Sequence, residues 1–529
     1  MSVNSIKVWG RVFRLKQTSN SGVAEAAATK GIPSWMVPRA LRVVILLALF
    51  SAAAVYESAH LSSINAPELW VHLRTGRWIL ENRAVPHSSL FSQYSNLPWR
   101  DSSWGVDLLL GVAYKLLGLR AIPIVLMVFK TALAVVMFLL ARSAGTGFWT
   151  AVAASAIVQV IIPGLQPLPY VFSVILFAVE LQWLLESRHS GSARRLWWLP
   201  LLFVFWANLH SQFVAGLFLL VLFLTTLLIE HWLRLLGVGW LSPLIRPLPL
   251  RDVGPVCGLT ILATLVTPYG WRMFTNPFEA LYSDVGFKFF AEMSALSFRR
   301  PPEYALMLLV MATFLALGRR RSLEVFEVLT LLATVVIGFR IQRDSWMVVL
   351  AAILVLSFVS ADKQVDETSR RRQIRFWELG TVTALTVVIL FGAAVRLPDQ
   401  NSLMSRISRN YPVKACDFMT SHQLPTPLFH AYSWGSFLTW YAPQYPVVVD
   451  NRVELYGDKI LGEYFDVIGG KERLDEHPMV AGAGTLLLEK DSAMAKALSK
   501  LPGLKSRYTL VYSDDIARVF VPASQSQKQ

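Results

Sequence analysis

Four short polar clusters interrupt an otherwise apolar chain, and their residue types suit acid–base and anion-binding chemistry. A carboxylate such as that of Glu68 can take up a proton, and His72 follows it by one helical turn. Arginine side chains bind phosphate and carboxylate groups through a fixed fork of N–H donors. The candidate residues in the four clusters are Glu68, His72, Arg74, Asp101, Asn208, His210, Tyr269, Arg340 and Arg343.

The composition indicates that a membrane protein positions these clusters. Of the 529 residues, 54% are hydrophobic and 16% are charged, whereas about 25% are charged in a typical soluble domain. The 18 Trp and 30 Phe are too many large apolar side chains for a soluble protein to bury. A disordered chain, a disulfide scaffold and a soluble globular enzyme are therefore excluded, and no disulfide is expected between the two cysteines, Cys257 and Cys416.

About eleven apolar runs are candidates for membrane-spanning helices, although several are shorter than the roughly 20 residues that a bilayer requires. They cover residues 41–58, 120–141, 147–163, 168–186, 196–210, 213–231, 253–269, 304–318, 323–339, 345–360 and 377–396. The chain then divides into an N-terminal tail (1–40), a membrane domain (41–396) with a long first outer loop (59–104), and a C-terminal domain (397–529).

The net charge of +15 predicts the orientation of these helices. The basic residues form short clusters between apolar runs rather than one patch, so membrane lipids and not nucleic acids are the predicted partners. With the N-terminus in the cytoplasm, the inner segments hold about twice as many Lys and Arg residues as the outer ones. The opposite orientation would place the basic runs 319–321 and 370–372 outside. The C-terminal domain is therefore predicted to be extracytoplasmic.

This orientation brings all four polar clusters to the outer membrane face, beneath the C-terminal domain. A helix that starts near Pro67 is predicted to lie along the interface, with Trp70 and Trp78 at headgroup level. We therefore expect a reaction site at the outer leaflet.

The C-terminal domain has an α/β pattern. Short apolar runs predict strands at Pro427–Tyr432, Tyr445–Asp450, Gly484–Glu489, Tyr508–Tyr512 and Ala517–Val521. Asp450 and Arg452 follow the second run, where an open α/β sheet places ligand-binding residues. A structural ion pair at the end of a strand is the alternative interpretation of these two residues.

The order of the motifs resembles bacterial members of the GT-C superfamily, which are polytopic membrane glycosyltransferases that use polyprenyl-phosphate-linked sugars. Their architecture is related to that of protein mannosyltransferases and oligosaccharyltransferases. The resemblance covers about residues 60–526. The matching positions are 67–72, Thr75, Gly76, Trp78, Pro86, 91–92, Trp99, Trp104, 206–210, 268–270, Glu292, 431–435, 449–452 and Tyr456. The chain departs from the family pattern at Glu68, where an aspartate is common, at 210–212, where His-Gly-Gly is frequent, and at Thr267 and Met293.

The resemblance implies a polytopic α-helical enzyme of the bacterial inner membrane. It implies transfer of a sugar, with inversion, from a polyprenyl-phosphate or diphosphate donor to an envelope glycan, lipid or protein. Glu68 is then the candidate base, with Asp101 second and His72 assisting. Arg74, Arg340 and Arg343 are phosphate-binding candidates. Asn208, His210, Tyr269, Asp450 and Arg452 are further substrate-binding candidates. Some relatives use a divalent metal, but no ligand spacing here requires a metal, and no cofactor is predicted with certainty.

Structural roles are open for several of these residues. Glu68 stands three residues after Asn65, as in a capping box. His72, Arg340 and Arg343 also suit the membrane interface, and Asn208 and His210 can satisfy backbone groups at a helix end.

Two other functional classes are also open, namely a non-catalytic scaffold of polysaccharide assembly and a lipid or sugar transporter. A transporter often has inverted repeats, and none is visible in the sequence.

Within the bilayer, Lys130 and Glu180 are predicted to pair with each other.

Overall fold

The computed structural model describes residues 39–162, 169–237, 248–275, 283–320, 324–361, 376–470 and 476–523. Most of the predicted N-terminal tail lies outside these ranges, as does the basic run 370–372. Both cysteines are buried and unpaired, as expected.

Apolar helices form most of residues 39–395, and one of them occupies each of the eleven predicted runs. The helices of this part of the chain are α1 (Arg39–His60), α2 (Leu69–Asn82), α3 (Trp104–Leu117), α4 (Ala121–Ser143), α5 (Phe148–Ile161), α6 (Tyr170–Ser190), α7 (Leu199–Leu209), α8 (Phe213–Leu235), α9 (Leu250–Ala263), α10 (Asp284–Phe289), α11 (Pro301–Gly318), α12 (Val325–Arg340), α13 (Ser345–Ala361) and α14 (Phe376–Val395).

Fewer than eleven of these helices have the length and composition that a membrane span requires. Within the described ranges, six helical segments are long and apolar enough to cross a bilayer. A seventh is added if α14 and the following helix, which are bent by 74° relative to each other, count as one span. The chain is thus a mostly helical polytopic protein, and the total of eleven crossings stays a prediction.

The first outer loop contains the helix α2, as predicted, but the residues before the helix differ from expectation. Asn65 ends a short 3-10 helix instead of capping α2, and Glu68 is the residue directly before the first helical turn. The Glu68 side chain accepts no capping hydrogen bond. The capping-box interpretation of Glu68 is therefore wrong.

The helix α3 was not predicted, and it crosses α2 at very short range. A Cβ atom on Gly76 would lie 1.9 Å from the carbonyl oxygen of Asp107, and one on Gly111 would lie 2.6 Å from the carbonyl carbon of Gly76. The two helices can approach this closely only because both positions are glycines, which have no Cβ atom. One helical turn before each glycine, His72 of α2 and Asp107 of α3 meet, with 2.8 Å between His72 Nδ1 and Asp107 Oδ1.

The C-terminal domain combines helices with one small sheet. Its helices are α15 (Gln400–Ile407), α16 (Val413–Ser421), α17 (Gly435–Tyr441), α18 (Val453–Ile468), α19 (Pro478–Ala481), α20 (Ala493–Lys500) and α21 (Pro502–Lys505). Its strands are β1 (Leu428–His430), β2 (Thr485–Glu489), β3 (Tyr508–Ser513) and β4 (Ala517–Pro522). They form a sheet of order β1-β2-β4-β3, in which only β1 and β2 are parallel.

The predicted strand Tyr445–Asp450 is absent from this sheet. Its central residue, Val447, instead forms an isolated bridge with Ser92 of the first outer loop. Gln93 strengthens this junction by donating to the carbonyl oxygens of Leu428 and Pro446. The segment is apolar because it is buried between the loop and the C-terminal domain.

Trp70 attaches the C-terminal domain to α2. Its side chain is fully buried, and its ring contacts those of Tyr411, Phe437 and Trp440 at centroid distances of 4.7–5.5 Å. The prediction that Trp70 lies at headgroup level is therefore wrong. The C-terminal domain and the first outer loop lie on the same side of the helical bundle, as predicted.

The opposite end of the bundle is held by buried ion pairs. Arg188 at the end of α6 contacts Glu230 of α8 and Glu324 just before α12, at N–O distances of 2.5 and 2.6 Å. The predicted pairing of Lys130 with Glu180 is wrong, because the carboxylate near Lys130 is that of Glu57. Among the described residues, the Glu180 carboxyl has no hydrogen-bond partner.

We predict that Gly76→Ala lowers the thermal stability of the purified protein, because its methyl group must push α3 away from α2. The expected loss is about 1–3 kcal/mol in the free energy of unfolding. Gly258→Ala is the matched control, since a Cβ atom there meets nothing within 4 Å. Equal melting temperatures for the two variants would contradict the close crossing.

Candidate active site

Charged residues from separate segments of the chain gather where the first outer loop meets the C-terminal domain. The electrostatic neighbours of Glu68 are His72, Glu292, Arg343 and Glu454. They come from α2, the loop before α11, the start of α13 and the start of α18. The predicted convergence of distant polar residues is thus present, and we refer to Glu68, His72, Asp101, Asp107, His210, Glu292, Arg343 and Glu454 as the outer cluster.

The His72–Asp107 pair forms the buried side of the outer cluster. Asp107 is 1% exposed, and its carboxylate accepts from His72 Nδ1, which leaves His72 Nε2 as the free position on the ring. Burial lowers the pKa of His72, so the imidazole is neutral near pH 7. A neutral histidine held by a carboxylate is an oriented proton acceptor.

Asp101 lies beside this pair. Its Oδ1 accepts hydrogen bonds from the backbone N–H and the hydroxyl of Ser103, at 3.0 and 3.2 Å. Burial and the neighbouring Asp107 carboxylate raise the pKa of Asp101 well above its ordinary value. The two aspartates therefore do not both ionise readily.

Glu68 is the carboxylate best placed to exchange protons at neutral pH. Burial, followed by the nearby charge of Glu292, raises its pKa to about 7, although His72 and Arg343 oppose the shift. A base with a pKa near the working pH is the most effective. Among the described residues, the Glu68 carboxylate has no hydrogen-bond partner, so it is available to a ligand.

Arg343 supplies the positive charge on the opposite side of Glu68. It follows α12, and its Nη1 lies 3.9 Å from Glu292 Oε1. The guanidinium is 42% exposed, so a ligand can reach it. The adjacent Asp344 accepts a 2.8 Å hydrogen bond from Gln212, which fixes the loop that carries Arg343.

Arg452 and Asp450 form the buried ion pair that was the alternative interpretation of these residues. Arg452 Nη2 lies 2.6 Å from Asp450 Oδ2, and Tyr456 donates to the same oxygen. Arg452 Nη2 also donates to the carbonyl oxygen of Leu90, and its guanidinium lies 4.5 Å from the ring centroid of Trp99. The pair therefore joins the C-terminal domain to the first outer loop, beside the outer cluster.

His210 is held in place by a chain of hydrogen bonds. Trp206 Nε1 donates to Ser173 Oγ, and the Ser173 hydroxyl then donates to His210 Nδ1, at 2.8 and 2.9 Å. Burial lowers the pKa of His210 to about 3, and the positive charge of Arg343 adds to the shift. His210 is therefore a neutral, oriented member of the outer cluster.

Asn208 and Tyr269 are occupied by structural hydrogen bonds. Asn208 donates to the carbonyl oxygens of Val204 and Val266 and accepts from Trp104, so it satisfies backbone groups at the end of α7. The Tyr269 hydroxyl donates to the carbonyl oxygen of Pro86 at 2.6 Å. Tyr269 nevertheless lies close to Asp101.

Two of the predicted phosphate-binding residues lie apart from Glu68. The Arg74 guanidinium lies 4.8 Å from the ring centroid of Phe91 and pairs loosely with Glu81. Arg340 is exposed at the end of α12. Of the three predicted phosphate-binding arginines, only Arg343 is an electrostatic neighbour of Glu68.

The residue types and spacing in the sequence did not indicate Asp107, Glu292 or Glu454 as candidates. Asp107 lies in the first turn of α3, a helix that was not predicted. It follows apolar residues in the sequence and resembles an ordinary carboxylate at the N-terminus of a helix. Glu292 matched the family pattern but had no assigned role. Glu454 follows Asp450 by four positions, and this spacing was the only signal for it.

The divalent metal that the resemblance permits stays a prediction. No three His, Cys, Asp or Glu side chains in the described ranges are arranged so that they could hold a metal ion. We therefore assign no step of the reaction to a metal.

Comparisons with known proteins find similarity only at the level of structure. No protein-family model matches the chain, and no curated protein matches it. The oligosaccharyltransferase of Archaeoglobus fulgidus, solved with zinc and sulfate, is 10% identical over 92% of this chain and 73% of that chain, with a TM-score of 0.46. ArnT of Cupriavidus metallidurans, bound to undecaprenyl phosphate, is 13% identical over 93% of this chain and 98% of that chain, with a TM-score of 0.45.

The raised pKa of Glu68 predicts a pH-dependent effect of Glu68→Gln on stability. A carboxyl group whose pKa rises from 4.5 to about 7 on folding destabilises the protein as the pH increases through this range. The variant should therefore melt at a higher temperature than the wild type above pH 7 and at a similar temperature below pH 4.5. Thermal unfolding in detergent would measure this, with Glu81→Gln at the other end of α2 as the control. A constant difference across the pH range would contradict it.

Proposed function

We propose that this chain is a membrane glycosyltransferase that uses a polyprenyl-phosphate-linked sugar at the outer face of the bacterial inner membrane. The observation that carries the proposal is the meeting of Glu68, whose pKa is about 7, with Arg343 between the membrane helices and the C-terminal domain. A base and an anion-binding group side by side are what transfer from a phosphate to a hydroxyl requires. The acceptor would be an envelope glycan, lipid or protein.

In the proposed reaction, an acceptor hydroxyl oxygen attacks the anomeric carbon of the donor sugar. The new C–O bond forms as the bond between that carbon and the phosphate oxygen breaks, with inversion. Glu68 takes the hydroxyl proton, and Arg343 stabilises the negative charge that the departing polyprenyl phosphate gains. The buried His72–Asp107 pair lies one helical turn from Glu68 and offers a second proton acceptor at His72 Nε2.

The first test compares the envelope glycans of cells with and without the protein by mass spectrometry, to identify one lost sugar. Turnover of the matching polyprenyl-phosphate sugar by Glu68→Gln should then fall by about 10²–10⁴-fold. In the wild type, kcat/KM should increase with pH to a plateau above about pH 7, because Glu68 must be ionised.

Glu81→Gln, on the exposed end of the same helix, should retain full turnover. Unchanged turnover of Glu68→Gln would remove Glu68 from the role of base. Unchanged envelope glycans without the protein would contradict the proposed function.

The proposed orientation is tested by cysteine labelling in intact cells whose outer membrane has been made permeable. A membrane-impermeant maleimide should label Ala84→Cys in the first outer loop and Lys500→Cys in the C-terminal domain. It should not label Ser192→Cys, which lies beyond the far end of α6, a helix of about 30 Å. Cys257 and Cys416 are buried and should add little background. Labelling at position 192 alone would reverse the orientation.

A further inference from the structure

Four polar atoms between the outer cluster and the C-terminal domain have no hydrogen-bond partner within the described part of the chain. They are Trp99 Nε1, Asp101 Oδ2, Arg452 Nη1 and Tyr432 Oη, and all four are buried. Buried polar atoms in folded proteins are almost always paired, so a group of unpaired ones beside a reaction site indicates a missing ligand.

These atoms surround one region. The Arg452 guanidinium lies 4.5 Å from the ring centroid of Trp99 and is an electrostatic neighbour of His72. Asp101 is also a neighbour of His72. Tyr432 reaches the region from the C-terminal domain, where its electrostatic neighbours include Glu68 and Asp450.

The unpaired atoms specify the chemistry of the ligand. Tyr432, Trp99 and Arg452 offer N–H or O–H donors, whereas Asp101 Oδ2 donates as a carboxylic acid and accepts as a carboxylate. A phosphate group offers acceptors only, so it matches the three donors but cannot donate to Asp101 Oδ2 when that oxygen accepts. A ring that carries several hydroxyl groups both donates and accepts, as these atoms require.

An aromatic surface stands beside the Tyr432 hydroxyl. The Tyr432 ring lies 5.6 Å from that of Phe290 and 5.2 Å from that of Phe465, measured between centroids. This surface suits the apolar C–H face of a sugar ring, while the unpaired donors suit its edge.

We propose that the hydroxyl groups of the donor sugar bind in this region, with the Tyr432 hydroxyl as a specificity-determining contact. This inference rests on the proposed glycosyltransferase function. The two parts of the donor then bind at different places, because Arg343 binds the phosphate and the Tyr432 region binds the sugar.

The test measures binding of two kinds of lipid to the full-length protein by native mass spectrometry. One is undecaprenyl phosphate, and the other is a panel of undecaprenyl phosphates that carry glucose, galactose, mannose or N-acetylglucosamine. The ratio of the two dissociation constants isolates the contribution of the sugar. For at least one sugar, the wild type should bind the sugar-bearing lipid more tightly.

Tyr432→Phe should reduce this ratio by about 3- to 10-fold, as expected for one lost hydrogen bond. It should leave the affinity for undecaprenyl phosphate and the melting temperature unchanged, because the hydroxyl has no partner in the described protein. Trp99→Phe, which removes Nε1 and keeps a ring beneath Arg452, should act in the same direction.

Tyr464→Phe is the matched control. The Tyr464 hydroxyl donates a 2.7 Å hydrogen bond to the carbonyl oxygen of His430, so this variant should lower the melting temperature and leave the ratio unchanged. An unchanged ratio in both Tyr432→Phe and Trp99→Phe would overturn the sugar site while leaving the proposed function intact. If the wild type binds neither kind of lipid, both the sugar site and the proposed function are wrong.

Discussion

The close crossing of α2 and α3 at Gly76 and Gly111 is the constraint on which the site depends. A Cβ atom at either glycine would collide with the backbone of the other helix. Because side chains one turn before these glycines point toward the same junction, the crossing sets the 2.8 Å contact between His72 and Asp107. Glu68 lies directly before α2, one turn before His72, so its position follows from the same contact.

The C-terminal domain and the crossing of α2 and α3 together form the surroundings of Glu68. Trp70 and Arg452 attach it to the first outer loop through a buried aromatic cluster and a buried ion pair. The domain thereby covers Glu68 and removes water from it, and burial is the main cause of its raised pKa. Burial of an ionisable carboxyl group lowers the stability of the fold at a pH at which the group would otherwise be ionised.

The outer cluster contains more carboxyl groups than arginines. Its arginine, Arg343, and the adjacent Arg452 differ in how fully they are neutralised. Arg452 is neutralised by Asp450, whereas Arg343 is only 3.9 Å from one exposed carboxylate, that of Glu292. Arg343 is therefore the cation most available to an incoming anion. The nearby charges of Glu292 and Glu454 add to the effect of burial in raising the pKa of Glu68, which favours proton uptake by this carboxyl group.

The sequence by itself determined the helical membrane architecture and the meeting of the outer loop with the C-terminal domain, because apolar run length and the placement of basic residues are local properties. It also selected Glu68, His72, Asp101, His210 and Arg343, which lie near one another in the structure. It did not determine that Trp70 is buried, that Val447 bridges to Ser92, or that Asp107 holds His72. Those features depend on contacts between segments that are distant in the sequence. The crossing of α2 and α3 at Gly76 and Gly111 determined which polar residues lie next to each other.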